Sequence, residues 1–284
     1  MNHPAELAIN QYLEDATSGK STISEETIAQ IGKDVMDAVR RQFGGGRGRD
    51  EFRLRMSNIG KPTCQLWFAK NKPEKALPKP TTFVMNMLLG DIVEAAFKGI
   101  ITEAGVAYDD KDNFVELELK EDTIKGSYDL IMDGALDDVK SASDWSYRNK
   151  FESYETLSKS DPFGYVGQLA GYAKATGKKV GGWWVVNKAN GNIKYVPASG
   201  LDLDVELDKI QKTVDTVNKN EFERCFHPVP ETFRGKPSGH KILNDNCKFC
   251  DFRFECYPKM QELPSKVSQA RVKPIVSYIE INEG

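Results

Sequence analysis

The sequence has 284 residues, of which 39% are hydrophobic and 29% charged, a composition typical of a globular protein with one large domain and an appendage, or two small domains. The formal net charge of −3 excludes a histone-like coat of positive charge. The sequence contains no run of about 18 apolar residues, so no membrane span is predicted. The N-terminal residues lack a basic start followed by an apolar core, so we expect no signal peptide and a cytoplasmic location.

The first predicted elements are helices within residues 4–42, followed by a glycine-rich break over residues 44–49. No G-K-[ST] sequence accompanies this break, so it is not a phosphate-binding loop. From Arg40 to Lys79, eleven Lys and Arg side chains stand against three carboxylates, a local charge of +8. Such segregation indicates a surface that binds a polyanion, or else a solvated basic face. The nucleic-acid-binding candidates in this window are Arg47, Arg49, Arg53, Arg55 and Lys61.

A helix is predicted over residues 81–105, and Glu94 falls within its apolar segment. If Glu94 faces inward it needs a partner such as a metal ion, whereas facing outward it is an ordinary helix glutamate. A strand over residues 114–119 follows, and it leads into the segment 126–143. That segment predicts a β-hairpin, because apolar runs flank Asp133-Gly134, a dipeptide that favours a tight turn.

Three ionisable residues of this hairpin are predicted to share one face. Asp138 and Lys140 are two positions apart on a strand, and the hairpin brings Asp129 alongside them. Two carboxylates suit Mg²⁺ or Mn²⁺, and the adjacent amine would hold or help deprotonate a metal-bound water that attacks a phosphodiester. The alternative is a solvated hairpin edge with a surface salt bridge.

After the hairpin, a helix is predicted over residues 163–176, where Gln168 and Tyr172 are four apart and share a face. A second hairpin over residues 182–196 turns at Asn190-Gly191, and residues 201–223 form an amphipathic helix. This order of elements predicts an α/β fold with a mixed central β-sheet flanked by helices, preceded by an N-terminal helical region.

The cysteines indicate a metal or cluster site rather than disulfides, because three of the five lie within ten residues of a cytoplasmic-looking chain. Cys247, Cys250 and Cys256 form a C-x2-C-x5-C motif, and zinc is the metal most generally bound by cysteines at this spacing. A fourth ligand has to come from elsewhere. The candidates are Cys64, Cys225, His227 and His240.

Taken together, the motifs resemble those of the PD-(D/E)XK nuclease superfamily, in its RecB-like iron–sulfur branch, which includes CRISPR-associated exonucleases and phage proteins. The resemblance covers roughly residues 55–260 and rests on the order of the motifs. These are the segment 57–68 with its cysteine, Gly90-Asp91-Ile92-Val93-Glu94, Gly126-Ser127-Tyr128-Asp129, Asp138-Val139-Lys140, the Q-x-x-x-Y of Gln168 and Tyr172, and the C-terminal cysteines.

The resemblance implies a role for each matched residue and a restriction-endonuclease-like core. Asp129 and Asp138 would ligate Mg²⁺ or Mn²⁺ together with the carbonyl of Val139, and Lys140 would position the attacking water and stabilise the scissile phosphate. Glu94 matches a helix position that assists metal binding, although several iron–sulfur relatives have histidine in that region, where this sequence has Val93 and Glu94. Gln168 and Tyr172 would orient the lysine and contact DNA.

The resemblance also implies a 4Fe–4S cluster on Cys64, Cys247, Cys250 and Cys256, with zinc as the alternative and Cys225 as a spare thiol. A cluster closing so long a loop would tie the two ends of the domain together as a clasp. The expected organisation is an N-terminal helical arm over residues 1–50, a nuclease core over 51–225, the clasp over 226–262 and a tail over 263–284.

The resemblance therefore implies a divalent-metal-dependent DNA exonuclease of recombination, repair, phage DNA metabolism or CRISPR adaptation in a bacterial or phage-infected cell. Its partner would be DNA with a single-stranded end, and a helicase, annealing protein or integrase would be a separate chain, since no Walker sequence is present. The alternatives are a structure-specific endonuclease with the same site and a non-catalytic DNA-binding protein with a zinc or iron–sulfur module.

Overall fold

The computed structural model describes residues 3–44 and 52–282, so Arg47 and Arg49 lie outside the described residues. Its helices are α1 (Pro4–Thr17), α2 (Glu25–Phe43), α3 (Thr63–Asn71), α4 (Phe83–Glu103), α5 (Tyr154–Lys159), α6 (Tyr165–Thr176), α7 (Leu203–Lys219) and the short α8 (Arg253–Cys256). Its strands are β1 (Tyr108–Asp109), β2 (Phe114–Glu118), β3 (Thr123–Ser127), β4 (Leu130–Met132), β5 (Ala135–Ala142), β6 (Lys179–Asn187), β7 (Ile193–Pro197), β8 (Val229–Phe233), β9 (Lys236–Ile242), β10 (Gln261–Pro264) and β11 (Ile275–Glu280).

The central sheet has five strands in the order β1-β4-β5-β6-β7. Strand β5 runs parallel to β6, and the other neighbours are antiparallel, so the sheet is mixed. A parallel pair needs a crossover, and the chain between β5 and β6 supplies it with α5 and α6. The predicted α/β class, the mixed central sheet with flanking helices and the N-terminal helical region are confirmed.

The turn between β4 and β5 has the backbone that its sequence favours. Asp133 has φ 50° and Gly134 has φ 77°, and two consecutive positive φ angles are the requirement of a type I′ hairpin turn. Met132 pairs with Ala135 and Leu130 with Asp137, which places Asp129 next to Asp138 across the hairpin. The turn therefore sets the register on which the candidate site depends.

Each face of the central sheet is covered by its own apolar core. Trp183 and Val185 of β6 belong to the core on the side of α6 and α7, and the intervening Trp184 belongs to the core on the side of α1 and α4. Because strand residues alternate between faces, β5 follows the same rule, with Leu136 on the first side and Val139 on the second.

This alternation gives the adjacent residues Asp137 and Asp138 different surroundings. Asp137 accepts hydrogen bonds from the Gly182 amide at 2.7 Å, the Tyr195 hydroxyl at 2.9 Å and the Trp184 indole at 3.3 Å. Burial raises the pKa of Asp137 to about 6 despite these donors. With its carboxylate oxygens satisfied by the protein, Asp137 ties β5 to β6 and β7.

The N-terminal helices pack against α4, where Glu103 accepts hydrogen bonds from Ser24 and Thr27 at the start of α2. Helix α1 is joined to the central sheet by Glu6, which accepts from the Tyr195 amide at 2.8 Å. No helix in the described part of the chain combines the length and apolar character needed to cross a bilayer.

Two smaller sheets are also present in the described part of the chain. Strands β2 and β3 pair with each other, and β10-β11-β9-β8 form an antiparallel sheet at the C-terminal end. The predicted boundary between clasp and tail at residues 262/263 falls inside β10, and β11 lies within residues 263–284, between β10 and β9.

Candidate active site

Asp129 and Asp138 meet where β4 and β5 pair. The Oδ2 atom of Asp129 accepts a hydrogen bond from the backbone amide of Val139 at 2.7 Å. This contact fixes the Asp129 carboxylate against the strand that carries Asp138 and Lys140. The sequence therefore builds this part of the site locally, from a single hairpin.

Lys140 lies against both oxygens of Asp138. Its Nζ donates to Oδ1 at 2.6 Å and lies 2.5 Å from Oδ2. The Asp138 residue is only 4% exposed, and the angle at Oδ2 is too poor for a hydrogen bond. The ammonium thus balances the charge of Asp138 and contacts both of its oxygens, and the Asp129 carboxylate lies close to the same buried group.

Three carboxylates of the site repel one another in a poorly solvated place. Burial, followed by the charge of Asp138, raises the pKa of Asp129 to about 6. The pKa of Asp138 is raised by burial and by Glu94, although Lys140 opposes the shift. Burial alone would lower the pKa of Lys140, but Asp138 and Asp129 outweigh it, so the lysine stays charged.

Glu94 reaches this group from α4. Its pKa is raised by burial and then by Asp129, which places it within electrostatic range of the hairpin carboxylates. Its Oε1 lies 2.9 Å from Nζ of Lys98, one helical turn further on, and Lys98 also lies 3.3 Å from Asp110. Glu94 is therefore an edge member of the site, already paired with a cation.

Gln168 and Tyr172 approach from α6, and the Gln168 side chain lies close enough to the Tyr172 hydroxyl to lower its pKa. Tyr172 is buried, and its pKa is raised first by burial and then by the charge of Asp129. The phenol therefore stays protonated and can donate a hydrogen bond. The structure thus brings together all six predicted catalytic residues from one hairpin and two helices.

We expect Gly126→Ala to destabilise the protein and disturb the site. A Cβ at Gly126 would lie 2.6 Å from Cβ of Met56 and 2.7 Å from the Tyr172 hydroxyl, both closer than real contacts allow. Overpacking of this kind costs about 1–3 kcal/mol. Urea denaturation should show a loss in that range. Gly32→Ala is the matched control, because a Cβ there meets nothing within 4 Å and alanine favours the helix; equal stability of the two variants would contradict the packing argument.

The five cysteines, none of which is in a disulfide, converge between α3 and the C-terminal segment. Burial raises the pKa of Cys247 to about 12, and the next contributions come from Cys250, Cys256 and Cys225. Burial also raises the pKa of Cys250, to about 11. Thiols that are far apart in sequence therefore lie within electrostatic range of one another, although no three of them among the described residues are spaced closely enough to hold a metal ion.

Cys225, predicted as a spare thiol, lies directly against Cys64. Its sulfur accepts a hydrogen bond from the Cys64 backbone amide at 3.1 Å. The pKa of Cys225 is held below its ordinary value, chiefly by the hydrogen bond from the Cys64 thiol. Of the two histidine candidates, His240 accepts through Nδ1 from the Asn282 amide at 3.2 Å, and His227 is exposed.

Direct contacts hold the cysteine segment against α3 and the chain after it. The rings of Phe68 and Phe252 are stacked at 5.4 Å, Lys72 lies 2.6 Å from Glu255, and Lys79 pairs with Asp251. Lys72 and Lys79 of the basic segment Arg40–Lys79 therefore pair with carboxylates of this chain. Of the predicted DNA-binding residues that the structure describes, Arg53 and Arg55 are exposed, and Lys61 is partly buried.

Comparisons with known proteins add little to this geometry. No family model and no curated protein matches the chain. A solved structure described as "Crystal structure of SSO0001" aligns with 82% of this chain and 96% of its own, at 12% identity and a TM-score of 0.40. A likeness at that level carries no argument about fold or activity.

The donor chemistry of the carboxylate face fits a hard divalent cation. Among residues 3–44 and 52–282, no group of three or more His, Cys, Asp or Glu side chains is spaced closely enough to hold a metal ion. Asp138, however, is almost wholly buried, and the raised pKa values of Asp129, Asp138 and Glu94 reflect burial and, after it, mutual repulsion, both of which a bound cation would offset.

Two members of the site were missed at the sequence level. Nζ of Lys140 lies 5.1 Å from the centroid of the Tyr165 ring, a cation–π contact. Tyr165 is three residues before Gln168 and seven before Tyr172, so helical spacing alone would have placed it on the same face. Lys98 lies one turn after Glu94, so helical spacing would likewise have placed it on the same face as Glu94.

Proposed function

We propose that this protein is a divalent-metal-dependent deoxyribonuclease of the PD-(D/E)XK type that acts as an exonuclease. The observation that supports this most strongly is the convergence of Asp129, Asp138 and Lys140 on one face, with the Asp138 carboxylate almost wholly buried. A surface salt bridge, the alternative for this hairpin, does not account for a carboxylate that is almost wholly buried.

The metal of this proposal, Mg²⁺ or Mn²⁺, would be held by Asp129 and Asp138, with Glu94 and the Val139 carbonyl as further oxygen donors. Its chemistry would be to polarise the scissile phosphate and to lower the pKa of a water molecule. Asp129 is oriented for this role by its hydrogen bond from the Val139 amide. The hairpin thus fixes the donors before any metal binds.

Lys140 supplies the positive charge that stabilises the negative charge growing on the phosphate oxygens. Its ammonium is held between Asp138 on one side and the Tyr165 ring on the other, which restricts it to the vicinity of the metal ligands. Tyr172, protonated and close to Gln168, faces the charge of Asp129 from α6. The role of Tyr172 is to position Lys140.

The cysteines are proposed to hold a 4Fe–4S cluster through Cys64, Cys247, Cys250 and Cys256, with zinc as the alternative. The cluster has no step in hydrolysis and acts as a clasp between α3 and the C-terminal segment. The expected partner is DNA with a single-stranded end, and a helicase, annealing protein or integrase would act as a separate chain. The pathway would be recombination, repair, phage DNA metabolism or CRISPR adaptation.

Labelled DNA tests the proposal directly. The purified protein is incubated with 5′- and 3′-labelled single- and double-stranded oligonucleotides, and with a closed circular single strand, with and without Mg²⁺ or Mn²⁺. We expect metal-dependent release of short products from linear DNA and no cleavage of the circle. Cleavage of the circle would identify an endonuclease with the same site. Absence of cleavage on every substrate with either metal would contradict the proposal and favour a non-catalytic DNA-binding protein.

A further inference from the structure

A row of four aromatic rings leads from the core to the surface beside Lys140. Phe151 is buried; its ring lies 5.8 Å from that of Tyr165 at an interplanar angle of 27°. Tyr165 lies 5.6 Å from Phe163 at 21°, and Phe163 lies 5.6 Å from Phe249 at 34°. The last two rings emerge into solvent, with Phe163 40% and Phe249 67% exposed.

Two ammonium groups accompany this row. Lys140 lies over Tyr165, and Nζ of Lys150 lies 5.0 Å from the Phe163 centroid and 5.5 Å from that of Tyr165. The outer end of the row therefore combines exposed aromatic surface with positive charge. Both properties match a polynucleotide strand whose bases are unpaired, because each base offers a π-face and each phosphate a negative charge.

Packing alone gives a weak account of the outer pair. Phe163 precedes α6, whereas Phe249 lies between Cys247 and Cys250, so the contact joins the sheet-bearing part of the chain to the clasp. Yet Phe249 keeps two thirds of its surface in water after making this contact. A ring that only anchored the clasp would stabilise it better by being covered.

We propose that Phe163 and Phe249 form a stacking platform for the unpaired bases of a DNA strand next to Lys140, with Lys150 contacting its phosphates. This inference rests on the proposed nuclease function and assigns residues that select the form of the substrate. Bases in a duplex are already stacked and paired, so the platform favours single-stranded DNA over duplex. It also makes the clasp part of the substrate site, through Phe249.

The test measures binding of a fluorescent oligo(dT) of about 20 nucleotides to the full-length, cluster-loaded protein. Fluorescence anisotropy reports the binding, in a buffer without divalent metal. We expect Phe163→Ala and Phe249→Ala each to raise Kd about tenfold, while Kd for a duplex of equal length changes less than about twofold. Phe233→Ala is the matched control, since Phe233 is an aromatic residue beside a cation, Arg234, on the β8–β9 hairpin. Its Kd should equal that of the unmodified protein.

Two further variants separate stacking from packing. Phe249→Leu keeps the apolar contact with Phe163 but removes the π-face, so it should bind oligo(dT) as weakly as Phe249→Ala. Phe249→Trp should bind at least as tightly as the unmodified protein. Full binding by the Leu variant, or unchanged binding by both Ala variants, would overturn the platform, whether or not the unmodified protein cleaves DNA. Conversely, loss of oligo(dT) binding in the variants of a protein that cleaves nothing would support the platform and contradict only the nuclease.

Discussion

Asp138→Asn is expected to remove at least about 99% of the proposed nuclease activity while leaving the fold intact, because in the proposed mechanism the charge of Asp138 is required for metal binding. The substitution preserves shape and removes one negative charge from three that repel one another. Relief of that repulsion offsets part of the free energy lost with the Asp138–Lys140 ion pair. Lys140 still has Asp129 as a nearby anion. The measurement is the single-turnover rate of cleavage of a labelled oligonucleotide, with circular dichroism to verify folding.

Asp133→Asn is the matched control for this change. It removes a carboxylate from the same hairpin, at an exposed turn position whose φ of 50° asparagine accepts readily. We expect its cleavage rate to stay within about twofold of the unmodified protein, as for most surface substitutions. If Asp138→Asn kept more than about a tenth of the activity, Asp138 would not be a metal ligand of the reaction.

Lys140→Met tests whether the lysine has a role different from that of the proposed metal ligands. The variant should lose about 10²- to 10³-fold in cleavage rate, the usual effect of removing a group that stabilises developing charge. Its affinity for Mn²⁺ should stay the same or rise, because Nζ lies 2.5–2.6 Å from both Asp138 oxygens and competes electrostatically with a cation. Asp138→Asn should weaken Mn²⁺ binding instead. Titration calorimetry with Mn²⁺ alone reads out this difference without any DNA.

The site could be foreseen to the extent that it is encoded locally. The Asp133-Gly134 turn and the alternation of strand side chains determine which residues face Asp129, and these signals lie within a single hairpin. The four-residue spacing of Gln168 and Tyr172 similarly fixes a helix face, whichever partner that face meets. Both patterns depend on backbone geometry rather than on distant contacts, so they survive without knowledge of the tertiary structure.

Features that depend on long-range packing could not be foreseen. The contact between Cys64 and Cys225 joins residues 161 positions apart, and no local pattern specifies it. The different fates of Asp137 and Asp138 depend on which core each strand face covers, since the sequence shows only two adjacent carboxylates. Trp67 and Phe68 of α3 pack against Phe222, whereas Phe163 and Phe249 emerge beside the site, and no local pattern distinguishes the two sets of rings.

The second large effect is expected from Cys250→Ser, which should remove the proposed cluster and lower the stability of the whole domain. Cys64 and Cys247 are 183 positions apart, and a cross-link closing a loop of that length contributes about 5 kcal/mol through the unfolded state. For a domain of this size the corresponding fall in Tm is at least about 10 °C. The stacked rings of Phe68 and Phe252 and the Lys72–Glu255 pair remain, so the variant should still fold at low temperature.

Cys225→Ser is the matched control, and it decides which thiols are ligands. In anaerobically purified protein, absorbance near about 400 nm and bound iron should persist in Cys225→Ser and disappear in Cys250→Ser and Cys64→Ser. Loss of iron from Cys225→Ser but not from Cys64→Ser would exchange the roles of these two contacting residues. A colourless protein with about one zinc per chain would contradict the cluster while leaving the clasp, because a tetrahedral zinc site closes the same loop with the same thiols.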